Sequence, residues 1–131
     1  MSLPCYSVSK TKEFYVKSIG ASIGRSAQNW VDIDLFGNQL TFIKSDKFNF
    51  SATNYVFEGH ILPSFHFGII LNQEDWQSVY QKLKRANVDL VEKITFLKDK
   101  TGEHASFFVH DPNGYMLEFK NFKELKEIFK S

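Results

Sequence analysis

Glu118 stands inside an otherwise apolar strand, and that position makes it the residue best placed to do chemistry. It belongs to the stretch His104-Ala-Ser-Phe-Phe-Val-His-Asp-Pro-Asn-Gly-Tyr-Met-Leu-Glu-Phe-Lys120. This reads as two strands joined by a tight turn. In the turn, Pro112 fixes φ, and Asn113 and Gly114 tolerate positive φ. Alternation in the second strand sends Tyr115, Leu117 and Phe119 to one face and Met116, Glu118 and Lys120 to the other. A carboxylate midway along such a strand needs a partner, water or a metal, because burying it alone is costly. His66 opens another apolar strand and shares a face with Gly68 and Ile70, while Phe67, Ile69 and Leu71 take the opposite face.

The elements that must position these groups fall into two similar halves. Leu3 to Val8 reads as a strand, and Ser9 can cap a helix through Lys17 with Phe14 and Tyr15 on its buried stripe. Gly20 ends that helix. Ala21 to Arg25 is a short strand. Trp30 to Phe36 alternates, with Trp30, Asp32, Asp34 and Phe36 against Val31, Ile33 and Leu35. Gly37-Asn38 turns the chain into a strand from Gln39 to Lys44. The order then repeats: a strand Phe65 to Leu71, a helix from Asn72 or Gln73 with Trp76, Val79, Tyr80 and Leu83 at helical spacing, a strand within Val88 to Phe96, a polar loop Lys98 to Glu103, and the hairpin described above. Each half is β-α-β-β-β. The spacing of Phe122, Leu125, Ile128 and Phe129 predicts a closing helix. Ser45 to Ser64 is a long connection carrying Phe48, Phe50, Tyr55 and Phe57. It reads either as an aromatic lid over a pocket or as an arm packed on its own or a partner's surface.

Composition excludes several functions. The 131 residues suit one domain, and 43% apolar and 16% aromatic residues supply its core. The net charge of +1 comes from dispersed lysines and arginines, which argues against a nucleic-acid partner. No apolar run suits a membrane span. The single cysteine, Cys5, rules out an internal disulfide, makes the cytoplasm the expected compartment, and sits in an apolar strand as a packing residue. Phosphate loops, nucleophile elbows and CxxC motifs are absent.

Two βαβββ units, Phe14-Tyr15 followed by Gly20, a strand opening with His66, and the closing Asp111-Pro-Asn-Gly-Tyr-Met-Leu-Glu-Phe119 resemble the vicinal oxygen chelate superfamily. That group includes glyoxalase I, extradiol dioxygenases, and bleomycin and fosfomycin resistance proteins. Gly24-Arg25-Ser26, Trp30 to Gly37, Phe65-His-Phe-Gly68, Gly102-Glu103 and Leu117-Glu-Phe-Lys120 look most like its small extradiol-dioxygenase-like members. The resemblance covers nearly the whole chain. It implies one α+β domain over 1–131, in which two tandem βαβββ modules form a cup-shaped mixed sheet and a C-terminal helix follows. The boundaries are about 1–45 for module one, 46–64 for the linker, 65–120 for module two and 121–130 for the helix. It also implies a homodimer and a small-molecule ligand.

By the same resemblance, His66 and Glu118 match metal-ligand positions, and Gln39 matches a third, with Thr41 two residues along on the same face. The family places a further His or Gln at the start of the first strand, where this chain reads Met1-Ser-Leu-Pro-Cys5. Related sequences often carry His where this one has Asn38. A non-haem Fe(II) site normally takes two His and one carboxylate. Two function classes follow. In the first, a divalent ion chelates neighbouring substrate oxygens: with Fe(II), the favoured metal, dioxygen cleaves a catechol-like ring with His104 as acid or base, and with Mn, Ni or Zn the chemistry is isomerisation or addition. In the second, no metal is present and the protein sequesters a planar small molecule. Trp30, Phe36, Phe108 and the linker aromatics offer stacking surfaces to a bound ligand, with core packing as their plainer role, and Thr41 is a further substrate-binding candidate. His60 reads as solvent-exposed in the linker, and His110 as a residue that orders the Asp-Pro turn.

Overall fold

The first strand, β1 (Ser2–Cys5), runs parallel to β4 (Asn38–Lys44), with Leu3 opposite Phe42. Between them lie β2 (Ser22–Ala27) and β3 (Trp30–Leu35), and the sheet order is β1-β4-β3-β2. The structure, a computed structural model, describes residues 1–131 apart from the side chain of Glu92. The chain forms two compact units, the first comprising Met1–Ser51 together with Asp111–Tyr115 and the second Ala52–His110 together with Met116–Ser131.

In the first unit, the alternation of β3 buries Val31, Ile33 and Leu35. The helix begins two residues earlier than its Ser9 cap predicts. Ser7 is the cap, its hydroxyl accepting from the Lys10 N–H, and α1 spans Val8–Lys12. The helix then widens into a π-helical segment, Glu13–Ile19, closed by Gly20 at φ 91° with its N–H on the Tyr15 carbonyl. This five-residue hydrogen-bond spacing brings Phe14, Tyr15 and Ile19 together into the core, where Tyr15 meets Phe42 at 4.9 Å between ring centroids.

The Asp-Pro-Asn-Gly turn also belongs to this unit. The buried Asp111 carboxylate accepts from Tyr15 Oη (3.0 Å) and from the backbone N–H groups of Asn113 (2.8 Å) and Tyr115 (2.9 Å). Asn113 Oδ1 accepts from the Tyr6 N–H, and Tyr115 Oη donates to the Pro4 carbonyl. Asp111 therefore orders this turn. His110, the residue expected to do so, instead pairs its Nδ1 with exposed Asp89 at 3.0 Å in the second unit.

In the second unit, β7 (Phe67–Ile70) is parallel to β10 (Met116–Phe122), and β9 (His104–His110) and β8 (Leu90–Phe96) complete the order β7-β10-β9-β8. The two sheets thus repeat one topology, the α+β pattern of paired βαβββ modules. Helix α2 (Gln73–Arg85) is capped by Asn72 and buries Trp76, Val79, Tyr80 and Leu83, with Trp76 Nε1 donating to the Phe119 carbonyl at 2.9 Å.

The connection read as a linker contains a hairpin of β5 (Asn54–Phe57) and β6 (His60–Pro63). Glu58 (φ 49°) and Gly59 (φ 80°) form its two-residue turn, a backbone that suits the twist of paired strands. Leu62 anchors it in a cluster with Phe96, Phe108 and Met116, and both Glu58 carboxylate oxygens accept from the Leu97 N–H. The arm therefore packs on its own unit.

The expected C-terminal helix is a single 3-10 turn, Leu125–Glu127. Phe122 is drawn into β10 opposite His104, which takes it out of the predicted helix stripe, and Phe129 is exposed.

Candidate functional site

Glu118 and Gly68 are opposite one another in the parallel β7–β10 pair. A Cβ at Gly68 would collide with the backbone carbonyl of Glu118 and lie 2.8 Å from its nitrogen, so only glycine lets the two strands approach this closely. His66, just before β7, donates Nδ1–H to the Pro63 carbonyl at 2.9 Å, because that oxygen can only accept. This bond fixes the ring and turns Nε2 towards Glu118 Oε2, 3.3 Å away. Ser106 on β9 donates to Glu118 Oε1 at 2.8 Å, and Lys120 brings Nζ to 3.5 Å from Oε2. His66, Glu118 and Lys120 line a cleft of about 250 Å³ together with Gly68 and Ile70.

The electrostatics follow from this geometry. The Glu118 hydrogen bond raises the His66 pKa, and burial only partly opposes it. For Glu118 burial is the largest influence and acts upward, yet the combined pull of His66, Lys120 and Ser106 holds its pKa below the ordinary carboxylate value. The carboxylate is 7% exposed and its charge is matched within the protein. Two aromatic rings flank the imidazole: Tyr55 of β5, parallel to it with centroids 6.2 Å apart, and Phe108 edge-on at 6.0 Å.

Of the other sequence candidates in the second unit, Phe108 adjoins His66, while His104 and His60 lie apart from it. His104 Nδ1 donates to the Gly102 carbonyl at 2.8 Å, and its ring stacks on Phe122 at 4.7 Å. It lines a separate, larger cleft of about 560 Å³ with Thr95, Asn121 and Lys123, whereas His66 and Glu118 line the smaller one. His60 is exposed on β6, its ring against Phe96. Phe108 is fully buried in the second unit's core.

Gln39, Thr41 and Trp30 belong to the first unit, where they surround a buried acid that sequence reasoning left unassigned. Asp32 Oδ1 accepts from Thr41 Oγ1 at 2.7 Å, and Oδ2 meets Arg25 Nε at 3.2 Å. The Thr41 bond is the main influence holding the Asp32 pKa low; burial opposes it, and Arg25 and Gln39 assist. The Arg25 guanidinium lies 5.9 Å from the Trp30 ring centroid. By sheet register, Thr41 faces Ser2 as Glu118 faces Gly68. Ser106 and Lys120 were also left unassigned. Lys120 was legible in principle, since it shares the Glu118 face two residues on.

The fold and this paired arrangement define a family. The profile of the Glyoxalase/Bleomycin resistance protein/Dioxygenase superfamily matches residues 1–119, and the chain belongs to that superfamily. Among solved structures, it is similar to a glyoxalase/bleomycin resistance protein/dioxygenase from Alicyclobacillus acidocaldarius, with a TM-score of 0.81, 23% identity, and 98% of this chain and 93% of that chain covered. It is also similar to the genomically encoded fosfomycin resistance protein FosX from Listeria monocytogenes, with a TM-score of 0.72, 15% identity, and coverage of 98% and 94%. A lactoylglutathione lyase from Agrobacterium tumefaciens follows at a TM-score of 0.66, 12% identity, and coverage of 92% and 90%. At these identities the likeness establishes the fold. No curated protein matches the chain.

Superfamily members often bind divalent metals. Nε2 of His66 and Oε2 of Glu118, 3.3 Å apart, have the spacing of two neighbouring donors each about 2.1 Å from one ion. Within the second unit, the rest of the donor set does not fit a tightly held metal. Among the described residues, no three His, Cys, Asp or Glu come together, and an ammonium already stands beside the carboxylate.

Proposed function

We propose that the protein binds a small planar molecule bearing an acidic oxygen in the His66–Glu118–Lys120 cleft, without a resident metal. The observation that carries this reading is the occupied carboxylate: Glu118 is bonded by Ser106 and faced by His66 and Lys120 at 3.3 and 3.5 Å. With His66 protonated, two cations stand against one carboxylate, which favours an anionic ligand atom. The partly exposed Tyr55 ring, parallel to the imidazole, supports a flat ligand. A cytoplasmic homodimer is part of the same proposal. It is supported by Val56 and Ile61, which face each other across β5 and β6 and are 67% and 71% exposed.

A second reading has one specific observation in its favour. The Pro63 bond aims His66 Nε2 at Glu118, as the outer hydrogen bond of a metal-bound histidine does. On that reading the protein is a metal-dependent enzyme, with extradiol-type dioxygenase chemistry on a catechol-like ring as its form with Fe(II).

Isothermal titration calorimetry with 4-nitrocatechol, with and without EDTA, separates the two. Saturable binding that EDTA leaves unchanged and His66→Gln weakens at least tenfold is the expected result. Binding abolished by EDTA would transfer the site to the metal-dependent reading, and no binding in either condition would overturn both for this ligand class.

A further inference from the structure

The geometry points to Lys120 as a built-in counter-cation that sets the site against divalent metals, its ammonium supplying beside Glu118 the positive charge that an ion would otherwise bring. The inference deepens the metal-free reading above and rests on it. Glu118 and Lys120 alternate onto one face of β10, so the lysine stem is placed to turn its head back to the carboxylate. The contact with Glu118 Oε2, at 3.5 Å, is the ion pair Lys120 makes among the described residues. Ser106, which faces Lys120 across the β9–β10 register, takes the other oxygen. His66 meets Oε2 from the β7 side. An incoming divalent ion would have to displace the ammonium from a carboxylate that is 7% exposed, and the displaced lysine would remain tethered beside it.

Two consequences distinguish this arrangement from an ordinary surface ion pair. Lys120 is 34% exposed at its side chain, so it can be replaced without opening the core. Removing its charge should also create a function rather than abolish one: His66 and Glu118, freed of the ammonium, become two neighbouring donors for a borderline metal such as Zn(II).

The test measures Zn(II) and Mn(II) alone, by calorimetry and by elemental analysis after gel filtration, on the full chain. Lys120→Met is expected to bind Zn(II) at least tenfold more tightly than the wild type, and Lys120→Met with Glu118→Gln is expected to lose that gain. Lys120→Gln serves as the second variant, with circular dichroism melts confirming that each is folded. Stoichiometric, submicromolar metal on the wild type would overturn the inference. So would folded Lys120→Met and Lys120→Gln proteins that bind no better than wild type. A gain in metal affinity alongside absent 4-nitrocatechol binding would overturn the proposed function and leave the role of Lys120 standing.

Discussion

Glu118 lies between Leu117 and Phe119, both fully buried, and keeps its charge because three polar groups reach it, Ser106 from β9, Lys120 from β10 and His66 from the residue before β7. Its pairing with His66 makes stability depend on pH with a definite sign. His66 has a folded pKa above its ordinary 6.5, so its contribution is complete below 6.5 and disappears as pH rises through the folded value. Glu118 has a folded pKa below its ordinary 4.5, so its contribution is present above 4.5 and disappears as pH falls through the folded value. Urea unfolding of wild type and His66→Gln should therefore show a larger stability difference at pH 6 than at pH 9. Equal differences at both pH values would show that the pair does not couple to folding. His66 and Glu118 were legible as a pair from the family resemblance, with strand parity in agreement. Asp32 was not: its face of β3 also carries exposed Asp34, and only the approach of Arg25 and Thr41 makes it a buried acid.

At the level of elements, β7 and β10 form the platform of the site, and Gly68 permits their close approach. Gly68→Ala should destabilise the protein by about 3 kcal/mol or more, since the added methyl meets backbone that cannot rotate away. Calorimetric melting that stays within about 0.5 kcal/mol of wild type would show that the strands can part without cost. Elements with a strong period were readable in advance: α2 from its Trp76, Val79, Tyr80 and Leu83 stripe, and β3 from its alternation. Three features were not. The π-helical widening depends on what the helix packs against, the β5–β6 hairpin has its turn at Glu58-Gly59 inside a stretch without clean alternation, and Phe122 had equal claim to a helix stripe and to the end of β10.

On the scale of the whole molecule, the first unit draws residues from both ends of the sequence. Its buried polar cluster joins Tyr15, Tyr6, Pro4 and Thr11 to Asp111, Asn113 and Tyr115. A fragment of residues 1–51 would lack the Tyr115 side chain and the carboxylate that receives Tyr15 Oη. It should remain unfolded by circular dichroism and by amide NMR dispersion, although it contains a complete βαβββ pattern. A cooperatively folded fragment would show that the Asp111–Tyr115 turn is dispensable.

The sequence by itself determined the repeated order of elements and the strand faces shared by His66 with Gly68 and by Glu118 with Lys120, because periodicity and turn chemistry act over a few residues. Tertiary structure alone decided that Lys120 and Ser106 complete the Glu118 environment, that His104 lies in a different cleft, that the linker arm brings Tyr55 to His66, and that Asp111 organises the turn assigned to His110. Each of these depends on strand register and on contacts between residues distant in sequence. Those are set when the sheets pair, and no local pattern encodes them.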